Sequence, residues 1–98
     1  MITKKEINAI NKSYFNILQS NSFAIYIQSR NTKHYWGILL SKYPTFRNFQ
    51  ILHKHHNHNP YHRHSDAANI EAAINHIKAH DKYHIKRKQA KKKKAFRK

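Results

Sequence analysis

Histidine supplies most of the chemistry this chain could offer. The sequence has ten histidines in 98 residues. Six of them (His53, His55, His56, His58, His62 and His64) fall in residues 53–64, HKHHNHNPYHRH, beside Lys54 and Arg63 and with no acidic residue. A protonated imidazole is a cationic double donor suited to phosphate, whereas a neutral one is a metal ligand. The stretch has little apolar content, which argues against a buried strand. It reads as a polar loop presented to a phosphate backbone, a metal ion or water. Three further histidines, His76, His80 and His84, stand at i, i+4 and i+8 and share one face if a helix runs through them. Imidazoles one turn apart can chelate zinc, nickel or copper, so these three are the candidate metal ligands and a divalent metal such as zinc the one cofactor suggested. No HExxH motif accompanies them, and Asp81 is the only adjacent carboxylate.

Charge points to the partner. Twenty Lys and Arg against four Asp and Glu give a formal net charge of +16. Self-repulsion on that scale is most simply balanced by a polyanion, hence nucleic acid. The charge is uneven: residues 86–98, KRKQAKKKKAFRK, hold nine cations and no acid, and read as a flexible basic tail. The candidate nucleic-acid contacts are Arg30, Lys33, Lys42, Arg47, Lys54, His55, His56, His58, Tyr61, His62, Arg63 and His64, with Lys86, Arg87, Lys88, Lys91, Lys92, Lys93 and Lys94 of the tail. Aromatics are interleaved with them. Tyr61, beside Pro60 in a polar stretch, suits base stacking, and Trp36 suits a core.

Other functions find less support. Glu6, Asp66, Glu71 and Asp81 are the only acidic residues, and no carboxylate pair, Ser-His-Asp order or glycine-rich phosphate loop can be assembled. Histidine with lysine would suit a small toxin-like RNase, using imidazole as general acid–base. The chain has no cysteine, no apolar run near the ~20 residues of a membrane span and no signal-peptide core, so a cytoplasmic protein is expected.

The elements that would position these residues follow from periodicity. Thr3 and Glu6 have the capping-box spacing, and Ile7, Ile10, Tyr14, Ile17 and Leu18 share a helical face, which predicts a helix over residues 4–19. Residues 23–28 alternate as a strand, residues 34–42 form a second, apolar on both faces, and residues 46–53 a third. Gly37 marks a bulge or a close backbone approach. Ser65 or Asp66 then caps a second helix whose stripe is Ala67, Ile70, Ala73, Ile74 and Ile77, packed to about His80. The expected fold is α+β: one domain over residues 1–85, α-β-β-β-α, a three-stranded antiparallel sheet with two helices on one face, and a basic tail over 86–98.

That order resembles the double-stranded-RNA-binding domain, which implies contacts from residues 4–19, the Arg30–Lys33 turn and residues 63–67. The lysine-rich opening of that family's second helix is replaced here by Ser65-Asp66-Ala67-Ala68. Residues 23–85 also resemble the core of rolling-circle replication initiators. There a His-hydrophobic-His strand binds metal and a helical tyrosine attacks DNA; here Trp36 stands where the second strand histidine belongs, and Tyr83 is the first tyrosine of the helix. The resemblance implies DNA binding without nicking. The expectation is a non-enzymatic nucleic-acid-binding protein of a phage, plasmid or ribosome-associated kind. An inhibitor that targets a host nucleic-acid–protein complex is the alternative.

Overall fold

Five strands, not three, form one antiparallel sheet: β1 (Phe15–Ser20), β2 (Ala24–Ser29), β3 (Tyr35–Leu40), β4 (Phe49–Lys54) and β5 (His62–Ala67), neighbours in sequence order. A short helix, α1 (Lys4–Asn8), precedes the sheet and a long one, α2 (Ile70–Ala95), follows it. The computed structural model describes residues 1–41 and 48–95, with side chains through Gln89. Lys42, Tyr43, Phe46 and Arg47 therefore lie outside the described residues.

The first correction is at the N-terminus. The capping box forms as expected: Thr3 Oγ1 accepts from the Glu6 amide at 3.2 Å, and Glu6 Oε1 accepts from the Thr3 amide at 3.1 Å. The helix nevertheless ends at Asn8. Asn11 Oδ1 then accepts from the Ser13 amide at 2.8 Å, the side-chain turn by which asparagine competes with helix. Phe15 and Ile17 alternate inward and pair with Ser29 and Ile27 of β2. These positions suit either a helical stripe or a strand, and pairing with β2 buries Phe15 completely.

The second correction concerns residues 53–64. His53 and Lys54 complete β4, His62 to His64 begin β5, and only residues 55–61 turn the chain. Scant apolar content does not bar a strand here. β5 is an edge strand with one neighbour, where polar side chains are ordinary. A register shift between Ile51 and Leu52 accommodates an extra β5 residue.

The third correction moves the second helix. Ser65 and Asp66 belong to β5, and Asn69 is the residue that caps α2, its Oδ1 accepting from the Ala72 amide at 2.7 Å. Both α-β-β-β-α and the double-stranded-RNA-binding order fall with these changes. Residues 63–67 do not open a helix, and residues 15–19 do not lie in one. At the other end α2 continues as helix from the expected domain limit at 85 through residues 86–95.

Alternation sets the two sheet faces. Ile25, Ile27, Trp36, Ile38, Phe49 and Ile51 point inward and are fully buried against Ile70, Ala73 and Ile77 of α2, with Ile2 and Ile10 at the margin. Each such side chain contributes roughly 1.5–3 kcal/mol by leaving water. Gly37 faces outward at a close approach, since a Cβ there would come 3.1 Å from Cε1 of Tyr26.

Candidate functional site

The period of two that makes the core also gathers the histidines. His34 stands two residues before Trp36, and His53 two after Ile51, so both share the inward face; Trp36 and His53 are register partners. The two imidazoles are buried, at 5 and 3% exposure, and His53 Nε2 lies 3.0 Å from His34 Nδ1. His55 stacks on His34 with ring centroids 4.2 Å apart, and His84 meets the same ring edge-on at 4.6 Å. His64 and His80 pack against each other at 4.9 Å and flank Trp36. His62 approaches His53 at 5.4 Å, and His76 approaches His64 at 5.1 Å.

Thus β3, β4, β5 and α2 together assemble eight of the ten histidines. His56 and His58 remain at the hairpin tip, stacked on each other at 5.6 Å. The ligand atoms of His34, His53 and His55 all lie within 4.8 Å of one another, as do those of His53, His62 and His64, and those of His34, His80 and Asp81. The helical triple His76, His80 and His84 is not one of these sets. Its members do meet the strand histidines, but His76 and His84 do so outside these ligand groups.

Burial holds His34 and His53 neutral. It pushes His34 down to about 4 and His53 to about 3, and neighbouring imidazoles add to the effect. The same causes lower His55 and His64. His80 is lowered too, by burial above all, although Asp81 pulls the other way. The shifts favour the neutral ring, the form that can act as a metal ligand, over the cation that phosphate prefers. Three buried nitrogens, Trp36 Nε1, His76 Nε2 and His80 Nδ1, have no hydrogen-bond partner among the described residues.

Asp81 bounds the cluster and is fully buried. It accepts hydrogen bonds from Ser29 Oγ at 2.6 Å, Tyr14 Oη at 2.9 Å and Thr32 Oγ1 at 3.1 Å. The helix face expected to end near His80 thus continues inward, because three hydroxyls satisfy the carboxylate. Burial, with Asp81 contributing, raises the Tyr14 phenol to about 12.

The remaining candidate contacts are dispersed. Arg30 and Lys33 are exposed on the β2–β3 turn, where Arg30 Nε donates to the Lys12 carbonyl and Lys33 holds a left-handed φ of 65°. Arg63 is paired with Asp66. Lys54 lies on the outer sheet face, its Nζ 4.3 Å from the Tyr61 ring and 5.3 Å from that of Tyr35, and Tyr26 packs on Tyr61 at 5.6 Å. Lys86, Arg87 and Lys88 are exposed on α2, and Lys91 to Lys94 follow on the same helix. Trp36 is core, and Tyr83, 64% exposed, stands clear of the cluster.

From sequence, His53 is named only as part of the polar 53–64 stretch and Asp81 only as a carboxylate beside the helical histidines, and His34 is given no role. Counting alternate positions back from Trp36 and forward from Ile51 would have placed His34 and His53 together on the inward face. No helix among the described residues is long and apolar enough to cross a membrane. Comparison of the chain with protein-family models, curated proteins and solved structures finds no match.

Proposed function

We propose that this is a nucleic-acid-binding protein without catalytic activity, acting in the cytoplasm through phosphate contacts made mainly by the C-terminal half of α2. One observation carries the reading. α2 runs on past His84, its last ring contact with the strands, to Ala95, and the sequence has no acidic residue after Asp81. At the helical rise that segment extends about 16 Å. Like charges recur one turn apart in it, as at Arg87 and Lys91, and Lys88 and Lys92. Such pairs destabilise a free helix by roughly 0.2–0.5 kcal/mol each, and a polyanion lying along the helix reverses their sign.

The outer face of the sheet supports the same reading. Tyr26, Tyr35 and Tyr61 with Lys54 form an aromatic and cationic surface on the side away from α2, of the kind on which unpaired bases stack.

The test is fluorescence anisotropy with labelled single- and double-stranded DNA and RNA over a salt series. With ~5–9 phosphates neutralised, log K falls with log salt at a slope of about −4 to −8. Ending the chain at Gln89 weakens every sequence alike and flattens the slope. Labelled RNA and DNA remain intact throughout, with or without divalent metal. Affinity unchanged by the truncation would remove the helix from the interface. Retention by a nucleic-acid–protein complex but not by free nucleic acid would transfer the reading to an inhibitor.

A further inference from the structure

The nucleic-acid reading leaves the buried histidines without a task. We propose that His34, His53 and His55 bind one divalent transition-metal ion of the zinc class, joining β3 to the start of the β4–β5 hairpin beneath α2. The choice among the overlapping histidine groups rests on distance. In a tetrahedral site with metal–nitrogen bonds of about 2.0–2.1 Å, ligand nitrogens lie about 3.3 Å apart. His53 Nε2 and His34 Nδ1 are already 3.0 Å apart, and this group contains both residues. The group containing His80 also needs Asp81, whose two oxygens are taken by Ser29, Tyr14 and Thr32. The group of His53, His62 and His64 lacks the closest nitrogen pair.

The donor set suits the ion. Three imidazoles without thiolate favour zinc, nickel or copper over calcium or magnesium, and three protein ligands leave a fourth position for water. The ligands differ in access. His34 and His53 are buried whereas His55 is exposed, so His55 forms the open side by which an ion enters. His84, edge-on to His34, ties the same place to the last turn of α2 that meets the strands. His53 comes from β4, His34 from the residue before β3 and His55 from the first residue of the hairpin turn, so the pairing of β3 with β4 brings the ligands together.

Zinc chloride titrated into the metal-stripped full-length protein, without nucleic acid, tests this by calorimetry and by competition with a chromogenic chelator. The expected result is one equivalent bound, with a cobalt(II) visible spectrum of tetrahedral intensity. His34→Gln and His55→Gln each weaken binding ~tenfold or more, since loss of a ligand's supporting partner alone costs about 10–100-fold. The double variants His56→Gln/His58→Gln and His62→Gln/His64→Gln each remove two histidines, one more than either single variant, and leave affinity nearly unchanged. Since His34 is buried, exposed His55 keeps the test valid should the His34 variant fail to fold. Undiminished binding in His55→Gln overturns the site. So does loss of binding in either double variant equal to that in His55→Gln, or several equivalents bound with comparable affinity.

Discussion

The two halves of the interface between α2 and the sheet use the same strands and the same inward face, yet differ in chemistry. Toward the start of α2, Ile70, Ala73 and Ile77 close over Ile38, Phe49 and Ile51, and nothing there needs a polar partner. Toward the other half, His80, Asp81 and His84 meet His34, His53 and Ser29. Apolar side chains are satisfied by any dense packing, whereas each buried imidazole must place two nitrogens. Of the orphan nitrogens, those of Trp36 and His80 fall in the histidine half, and that of His76 lies at its boundary beside Ile77, facing His64. The apolar half supplies packing alone, whereas the histidine half gathers the groups proposed above to hold a metal.

The largest expected effect separates stability from site chemistry. Phe49→Ala in the apolar half should cost about 3–5 kcal/mol in urea unfolding, as lost burial plus a cavity. Zinc stoichiometry of the folded fraction should stay the same. A cavity there that also abolished the metal site would show the halves to be one unit.

Asp81→Ala comes next. It leaves Ser29, Tyr14 and Thr32 without their shared acceptor, and charged hydrogen bonds of this kind make a loss of about 2–3 kcal/mol reasonable. The Tyr14 phenol, held up at about 12, should titrate lower in the variant, which absorbance near the phenolate band would detect. An unmoved phenol would mean that burial alone raises it.

A third prediction concerns pH. Unfolded imidazoles titrate near ~6.5, whereas folded His34 and His53 lie at about 4 and about 3. Between those values the unfolded chain binds more protons, so stability is full above about pH 6.5 and declines as pH falls through the window. Urea midpoints of metal-free protein should follow that curve. Midpoints flat from pH 7 to 4 would contradict the burial of the pair.

The smallest effect on the fold should come from Lys86→Gln/Arg87→Gln/Lys88→Gln. Surface changes of this kind stay within about 0.5 kcal/mol of stability. The salt slope of nucleic-acid binding should nevertheless shrink by about 2–3. An unchanged slope would remove these cations from the interface.

These contrasts also mark what the sequence made legible. β2, β3 and β4 could be read from the alternation of Ile25 with Ile27, the apolar run around Trp36, and Phe49 with Ile51, because burial on one face leaves a period of two. β1 was hidden because Tyr14, Ile17 and Leu18 fit a helical stripe equally well, and only pairing with β2 decides between them. β5 was hidden because HRHSDA carries no apolar signal, and an edge strand needs little. The metal candidates His76, His80 and His84 were visible by helical spacing. Their meeting with His34 and His53 depends on strand register and helix placement, which spacing along the chain does not encode.

The most direct measurement is anomalous diffraction at the zinc edge from crystals grown with one equivalent of zinc. A single peak within bonding distance of His34, His53 and His55 is the predicted result. A peak at the His56 and His58 hairpin tip, or none in the interface between α2 and the sheet, would contradict the account.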